Sequence, residues 1–375
     1  MKRLFFFILF IAALYISKPY WEEPVSRYVD LSFLEPVDEK VGTLLNKESV
    51  DTAIRYIADT ADKAVFYLTS KSPETDEAAP TVEKPVLDQP VKTQLAIHNI
   101  ELGSPEQQVT AELGEPKSRS MNEYGTEWLT YHNGYQNFVM VSLDEKKKVN
   151  AIYTNDNLIV STAGIKYGSS KTAVREAFGE PIKEIRKGLN IYVLQESEGF
   201  DVFQSADAYT YVFYDVHQKD TVTAIQLIDT SLEQKKASIY AGGNAQLRDG
   251  FEQQLFDLTN AARVRHGLSA LKWEENVAGT ARNHSIDMAD NDYFNHQNKQ
   301  GKSPFDRMDD DGVTYRSAGE NLAYGQSSSI FAHEGLMNSA GHRENILLDT
   351  YSHLGTGVSF NDKSQPYYTE NFLLK

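Results

Sequence analysis

The pattern of apolar and polar positions begins with an unbroken apolar run from Leu4 to Ile16, preceded by two basic residues. The run is shorter than the roughly 20 residues of a membrane span. Tyr20 and Trp21 extend it, because aromatic side chains settle at the membrane interface. We predict that residues 1–23 form an uncleaved membrane anchor. It would contact the membrane through residues 4–21 and leave the rest of the chain outside the cytoplasm.

Two other interpretations of this segment stay open. Its length is also that of the apolar core of a secretory signal peptide, whose cleavage would release a secreted protein. The residues after the run, from Ser17 onwards, contain no pair of small residues typical of a cleavage site, which favours the anchor. A buried core helix is the third interpretation, and the basic flank at the very start of the chain argues against it.

A helix and a linker are predicted in residues 24–94. Ser49 to Leu68 has apolar residues at helical spacing, with an acidic residue in its first turn. Ser70 to Pro90 contains four prolines and a cluster of acidic residues, a composition typical of a linker. This linker would hold the folded part of the chain away from the membrane.

Residues 95–230 contain an internal repeat. Gly103–Pro116 (GSPEQQVTAELGEP) aligns with Gly168–Pro181 (GSSKTAVREAFGEP) at an offset of 65 residues. Each copy predicts a short helix ended by glycine, and each helix is followed by segments typical of antiparallel strands. The predicted strands are Glu127–Tyr131, Gln136–Leu143 and Lys148–Tyr153 in the first copy, and Asn190–Leu194, Thr210–Tyr214 and Val222–Leu227 in the second. The repeat therefore predicts a tandem α+β domain, with eight extra residues in the second copy.

The last region, residues 247–375, has a mixed pattern. Phe251–His266 and Glu274–Asn291 have helical spacing, whereas His353–Val358 and Tyr367–Phe372 predict an antiparallel pair of strands. Six of the nine histidines of the chain fall in this region. We therefore look for chemistry here rather than in the repeat, where no catalytic constellation is present.

Composition narrows the possible functions. The 375-residue chain is 41% hydrophobic and has a net charge of −16, so it can bury a core but is a poor candidate for binding nucleic acid. It has no cysteine, which excludes a disulfide scaffold, a thiolate metal site and a cysteine nucleophile.

Five motifs in the last region occur together and in a fixed order: HSIDMA, YFNH, AGENLAYG, MNSAGHRENIL and GTGV. With these motifs the region resembles the CAP superfamily (cysteine-rich secretory proteins, antigen 5 and plant pathogenesis-related proteins), also called the SCP domain, in a cysteine-free bacterial form. The repeat in residues 95–230 looks like the CAP-associated domain that precedes such modules. The resemblance implies an overall α+β fold in which the C-terminal CAP domain is an α-β-α sandwich.

The resemblance also implies a cleft lined by two histidines and two acidic residues, where zinc binds in the family. The matching residues of this sequence are His296, Glu320 and His342. The second acidic position falls near Ser339, which is not acidic, and Glu334 is close by, one helical turn or more earlier in the chain. We predict a ligand-binding cleft made of these five side chains. Its metal ligands would be His296, Glu320 and His342, and its cofactor zinc or another divalent metal.

Two kinds of chemistry remain open for this cleft. Two imidazoles and a carboxylate can hold zinc and leave a position for water, with Glu320 as the catalytic base of a metal-dependent hydrolase. Alternatively, the three side chains form a hydrogen-bonded cluster that fixes the walls of the cleft. We favour a binding module over an enzyme.

The sequence thus predicts a membrane-anchored, extracytoplasmic CAP-domain protein of the envelope of a Gram-positive-type cell. Its cleft would bind a lipid, a glycan or a peptide. The alternatives are a metal-dependent hydrolase acting on the cell wall or on peptides, and a structural protein of the envelope or spore. Whether the repeat domain covers the cleft stays open at this level.

Overall fold

The computed structural model describes residues 82–188, 190–194 and 199–375. The predicted anchor in residues 1–23 and the predicted helix at Ser49–Leu68 lie outside the described residues. Within the described ranges, no helix has the length and apolar character needed to cross a membrane. The described residues all belong to one compact unit, so contacts between its parts can be examined directly.

The repeat region folds into a sheet with two helices on one of its faces. Its elements are β1 (Leu95–Ile97), α1 (Glu106–Leu113), β2 (Ser118–Met121), β3 (Glu127–Asn133), β4 (Gln136–Leu143), β5 (Val149–Thr154), β6 (Ile159–Ser161), α2 (Lys171–Phe178), β7 (Glu184–Lys187), β8 (Asn190–Val193), β9 (Phe200–Gln204), β10 (Ala208–Asp215), β11 (Thr221–Asp229) and α3 (Thr230–Lys235). Both repeat helices end at a glycine with positive φ, Gly114 and Gly179, as the sequence predicts.

The two copies join into one antiparallel sheet with the strand order β2-β3-β4-β5-β11-β10-β9. The last strand of each copy forms the junction, where Tyr153 of β5 pairs with Gln226 of β11. These two residues are equivalent in the two copies, so the junction is close to a twofold axis between them. The tandem α+β domain predicted from the repeat is therefore confirmed.

One predicted strand has a different role from the one expected. The segment predicted at Asn190–Leu194 forms β8, but it pairs with β7 in a separate hairpin instead of joining the large sheet. Its place beside β10 is taken by β9, which the sequence analysis did not predict. The reason is the eight-residue insertion in the second copy, because its extra length forms the outer strand of this hairpin.

The C-terminal region contains a second sheet with helices on both of its faces. Its elements are α4 (Ala245–Arg265), β12 (Lys272–Trp273), α5 (Glu275–Asp290), α6 (Pro304–Asp310), β13 (Ser317–Tyr324), α7 (Ser329–Asn338), α8 (Ala340–Ile346), β14 (His353–Phe360) and β15 (Pro366–Leu374). The strand order is β12-β14-β15-β13. Thr356 of β14 bonds to the backbone of α4, whereas Gly355 and Gly357 face α5. The α-β-α sandwich is therefore confirmed.

The two domains share a hydrophobic core. One face of the large sheet packs against α1 and α2, and its other face packs against α4 and α7 of the C-terminal domain. Phe331 of α7 inserts edge-on among Phe200, Tyr211 and Phe213, with ring centroids 5.3 to 5.6 Å apart. The repeat domain is thus a fixed support for α7, which leads directly into the candidate site.

Candidate functional site

The candidate site lies where three parts of the C-terminal domain meet. His296 is in the loop between α5 and α6, Glu320 is on β13, and Ser339 and His342 are at the start of α8. Because β13 is an edge strand of its sheet, its side chains can reach both the loop and α8. The fold therefore brings together residues that are up to 46 positions apart in the sequence.

Glu320 is the centre of a three-residue cluster. Its Oε1 atom lies 2.9 Å from Nδ1 of His296, and its Oε2 atom accepts a hydrogen bond of 2.6 Å from Nη2 of Arg307. Only 2% of the Glu320 side chain is exposed, compared with 53% of the His296 side chain. Because both carboxylate oxygens are engaged, Glu320 acts as a fixed support for an exposed imidazole.

Arg307 is the site residue that the sequence analysis missed. Besides Glu320, it donates to the backbone oxygens of His296 and Lys302, at 2.7 and 3.2 Å, and so holds the loop as well as the carboxylate. Its position is set by a capping box at the start of α6, formed by Ser303 and Asp306. The Ser-Pro-x-Asp pattern at 303–306 was a sequence signal for that helix start.

His342 faces the same region as His296. Its Nδ1 atom lies 2.8 Å from the hydroxyl of Ser339. Burial lowers the pKa of His342, and the electrostatic influence of the neighbouring His296 lowers that pKa further. Asn321, next to Glu320 on β13, donates to the backbone oxygen of His342 at 3.1 Å. Of the five predicted site residues, four are therefore brought together: His296, Glu320, Ser339 and His342.

Glu334 does not join this group. Its Oε1 atom accepts a hydrogen bond of 2.7 Å from the hydroxyl of Tyr153 on the large sheet. Burial raises the pKa of Glu334 to about 7, and the charged residues that influence it belong to the contact between the two domains. These are Arg265, Asp215 and Arg343. The expectation that Glu334 lines the cleft is therefore replaced by a role at the domain contact.

His284 is a buried residue that contacts the loop carrying His296. It is 1% exposed, and its Nε2 atom lies 3.0 Å from the backbone oxygen of Asn295, next to His296. Burial is the main cause of the lowered pKa of His284, with Glu320 and Arg307 close enough to act on it in opposite directions. The neutral ring thus packs under the loop that carries His296.

The geometry does not fit a three-ligand metal centre. Among the described residues, no three side chains of the His, Asp and Glu types are arranged to hold a metal ion. Glu320 already uses both oxygens, and the charge of Arg307 beside it opposes a cation. Each imidazole makes its hydrogen bond through Nδ1, and in the described part of the chain neither Nε2 atom has one. Metal binding at this site stays a prediction.

The candidate site is open to solvent at His296 with the repeat domain in place. The repeat domain reaches the edge of the site, where Arg343 pairs with Asp215 at 2.9 Å and the Asn338 side chain bonds to the backbone of Tyr214 and Val216. However, more than half of the His296 side chain stays exposed. The repeat domain therefore holds the corner between α7 and α8 without covering the His296 imidazole.

Comparison with known proteins agrees with this architecture. Residues 102–239 match the family model of the CAP-associated N-terminal domain, and residues 256–372 match that of the cysteine-rich secretory protein (CAP) family. The uncharacterized membrane protein YlbC of Bacillus subtilis is 29% identical over 292 residues, which are 72% of this chain and 82% of the relative.

Two solved structures have the same fold. An extracellular SCP-domain protein of Bacillus anthracis is 27% identical, with a TM-score of 0.64, and the match covers 79% of this chain and all of that protein. A cysteine-rich secretory protein of Staphylococcus aureus is 18% identical, with a TM-score of 0.57 and coverage of 73% and 91%. The family-model matches show that this chain has a cysteine-free CAP domain in residues 256–372, preceded by a CAP-associated N-terminal domain in residues 102–239.

Proposed function

We propose that this chain is a membrane-anchored, extracytoplasmic protein of the envelope of a Gram-positive-type cell, and that its CAP domain binds an envelope ligand in the cleft of His296, Glu320 and His342. The name of the Bacillus subtilis relative as a membrane protein supports the membrane location. The description of the Bacillus anthracis protein as extracellular supports the placement of the CAP domain outside the cytoplasm.

The observation that carries the binding proposal is the contrast between an exposed imidazole and its buried support. His296 would need no rearrangement to meet a ligand, because the buried pair of Glu320 and Arg307 already holds its Nδ1 atom and its loop. Such preorganisation lowers the entropic cost of binding. With Nδ1 engaged, the Nε2 atom of His296 is the one that would face the ligand.

The charge balance of the site favours an uncharged ligand. The Arg307 charge is neutralised by Glu320, and the lowered pKa of His342 keeps that imidazole neutral at pH 7. Neither Arg307 nor His342 then offers a free cation to an anionic headgroup. A glycan hydroxyl or a peptide amide therefore suits these hydrogen-bonding groups better than an anionic lipid does.

Calorimetric titration of the purified chain would test this proposal. The probes are a wall-glycan disaccharide, a wall-type tripeptide and phosphatidylglycerol vesicles. We expect the disaccharide or the tripeptide to bind, and His296→Ala to weaken binding about fivefold, because one hydrogen bond is worth about 1 kcal/mol. His353→Ala is the matched control, since this histidine lies on β14 and bonds to Ser352. Binding that is unaffected by His296→Ala would contradict the proposal.

The metal prediction has its own calorimetric test. Zinc is titrated into the wild-type chain and into the His296→Ala and His342→Ala variants. If the zinc titration of the wild-type chain gives no heat of binding, the metal hypothesis is contradicted. Heat that both substitutions abolish would support a site between the two imidazoles, and turnover of wall fragments or peptides would then favour the hydrolase over the binding module.

Cell fractionation would test the anchor. We expect the full-length chain in the membrane fraction, with residues 1–23 still attached. A released protein with a trimmed N-terminus would contradict the anchor and support the cleaved signal peptide.

A further inference from the structure

A second cavity lies in the first copy of the repeat, outside the CAP domain. Its volume is about 440 Å³, which is within the range of about 300–1,000 Å³ typical of small-molecule sites. It is formed by the end of α1 and the residues that follow it, together with the hairpin between β3 and β4. Polar side chains and one aromatic ring contribute to its lining, namely His98, Glu112, Glu115, Lys117, Tyr131 and His132.

The lining of this cavity contains an unpaired buried group. The Nδ1 atom of His98 is buried and has no hydrogen-bond partner among the described residues. His98 lies in a two-residue turn closed by hydrogen bonds in both directions between Ile97 and Ile100, and its φ angle of 49° is that of such a turn. The turn therefore places the imidazole in the lining of the cavity.

The internal repeat shows that the fold does not require three of these polar residues. At the offset of 65 that aligns the two helices, His98, Glu112 and Lys117 correspond to the apolar residues Ala163, Ala177 and Ile182, whereas Glu115 corresponds to Glu180. The same architecture is therefore built without His98, Glu112 and Lys117, so these three residues call for an explanation other than folding.

The chemistry of the lining indicates the class of ligand. Burial lowers the pKa of His132 to about 4, with a smaller contribution from Lys117, so its ring is neutral at pH 7. Its Nδ1 atom accepts a hydrogen bond of 3.0 Å from the backbone of Tyr135, so its Nε2 atom carries the proton and can donate. Glu112 and Glu115 can accept hydrogen bonds.

These groups favour a neutral ligand with many hydroxyl groups. Two carboxylates against one ammonium group disfavour an anion such as phosphate, because the local charge is negative. Hydroxyl groups both donate and accept, so they can pair with the carboxylates and with the imidazole at once. The Tyr131 ring adds an apolar face. We propose that this cavity is a second binding site of the protein and that it takes a neutral saccharide of one or two units.

Calorimetry with the full chain would test this site. The probe is N,N′-diacetylchitobiose, with inorganic phosphate and the dipeptide Ala-Ala as contrasting ligands. The titration is run on the wild-type chain and in a His296→Ala background, so that heat from the CAP cleft can be separated from heat at this cavity. We expect saturable binding of the saccharide in both, and about tenfold weaker binding after Glu112→Ala.

The variants follow from the repeat itself. Alanine already occupies the position equivalent to Glu112, at Ala177, so Glu112→Ala is compatible with the fold. His98→Asn removes the imidazole and keeps a residue that tolerates positive φ, and it should weaken binding to a similar extent. Glu176→Ala is the matched control, because it removes the same charge from the exposed face of α2.

Three outcomes would overturn the proposal. One is an absence of saccharide binding at concentrations up to about 10 mM, because a dissociation constant above this value would be too weak for a specific small-ligand site. Another is binding that Glu112→Ala and His98→Asn leave unchanged, since the saccharide would then bind elsewhere. The third is tighter binding of phosphate or of the dipeptide at the cavity. The CAP cleft is judged by the effect of His296→Ala and this cavity by the effects of Glu112→Ala and His98→Asn, so failure here is distinguishable from failure of the function proposed above.

Discussion

At the scale of single residues, the site depends on a buried charge that must be neutralised. A carboxylate removed from water costs several kcal/mol unless it is paired and hydrogen-bonded. Glu320 meets this requirement through Arg307, whose side chain is only 9% exposed. The same pair fixes the ring of His296. Arg307 is therefore a positioning residue, which acts on the exposed imidazole through the carboxylate and the loop.

We predict that Arg307→Met destabilises the protein by about 3–5 kcal/mol, because it leaves Glu320 buried without its cation. The free energy of unfolding, measured by urea denaturation, is the readout. The double variant Arg307→Met with Glu320→Gln should recover part of the loss, since the buried charge is then absent. Lys302→Met is the control: it breaks an exposed ion pair with Asp310 and should change stability little. An unchanged free energy in Arg307→Met would contradict this account of the site.

At the scale of elements, sequence reasoning succeeded where the signal was local. The repeat helices, their terminal glycines and the motifs around Glu320 and His342 are visible along the chain. Three features depend on contacts between distant residues and were not visible. These are the pairing of β8 with β7, the replacement of β8 by β9 in the large sheet, and the position of Glu334 against Tyr153. Helical spacing alone does not say which neighbour a buried helix face will meet.

The two glycines of the GTGV motif, Gly355 and Gly357, allow β14 to pack closely against α5 because they have no side chain. A Cβ atom at Gly357 would lie 2.0 Å from the backbone nitrogen of Arg282, and one at Gly355 would lie 2.3 Å from that of Ala278. Both contacts are with α5, so these two glycines let β14 approach the helix closely. The motif is therefore a packing requirement of the sandwich, not a part of the cleft.

We predict that Gly357→Ala destabilises the protein by about 3 kcal/mol or more, because the added methyl group overlaps rigid helix backbone. Gly335→Ala is the matched control on α7, where an added Cβ atom would meet nothing within 4 Å. That variant should be neutral or more stable by about 0.5–1 kcal/mol, since alanine favours the helix. Thermal and urea unfolding of both variants would test this. Equal stability of the two would contradict the close approach of β14 and α5.

At the scale of the whole molecule, the contact between the two domains contains buried carboxyl groups. Burial raises the pKa of Glu123 and of Glu334 to about 7, and that of Asp257 to about 6. Glu334 accepts a hydrogen bond from Tyr153, and Asp257 accepts one of 3.1 Å from Ser118, so both groups bond across the contact. The domain contact is therefore expected to respond to pH in the mildly acidic range.

The sign of this response follows from linkage. The pKa of Glu334 rises from 4.5 in the unfolded chain to about 7 in the folded protein, so the folded state binds the proton more tightly. Its contribution to stability is fully present below pH 4.5 and is lost as the pH rises through 7. Arg265 and Arg343 oppose the rise in this pKa and Asp215 adds to it, but burial dominates.

We predict that Glu334→Gln removes this dependence, because glutamine stays neutral and its side-chain oxygen can still accept from Tyr153. The free energy of unfolding of the variant minus that of the wild type should therefore rise by up to about 3 kcal/mol as the pH increases from 4 to 8. Urea denaturation at several pH values is the measurement, with Glu176→Gln on the exposed face of α2 as control. Parallel profiles for the variant and the wild type would mean that the pKa of Glu334 is the same in the folded and unfolded states, which would contradict the prediction. A variant that loses stability relative to the wild type as the pH rises would mean that the two arginines outweigh burial, and acid would then weaken the association of the domains.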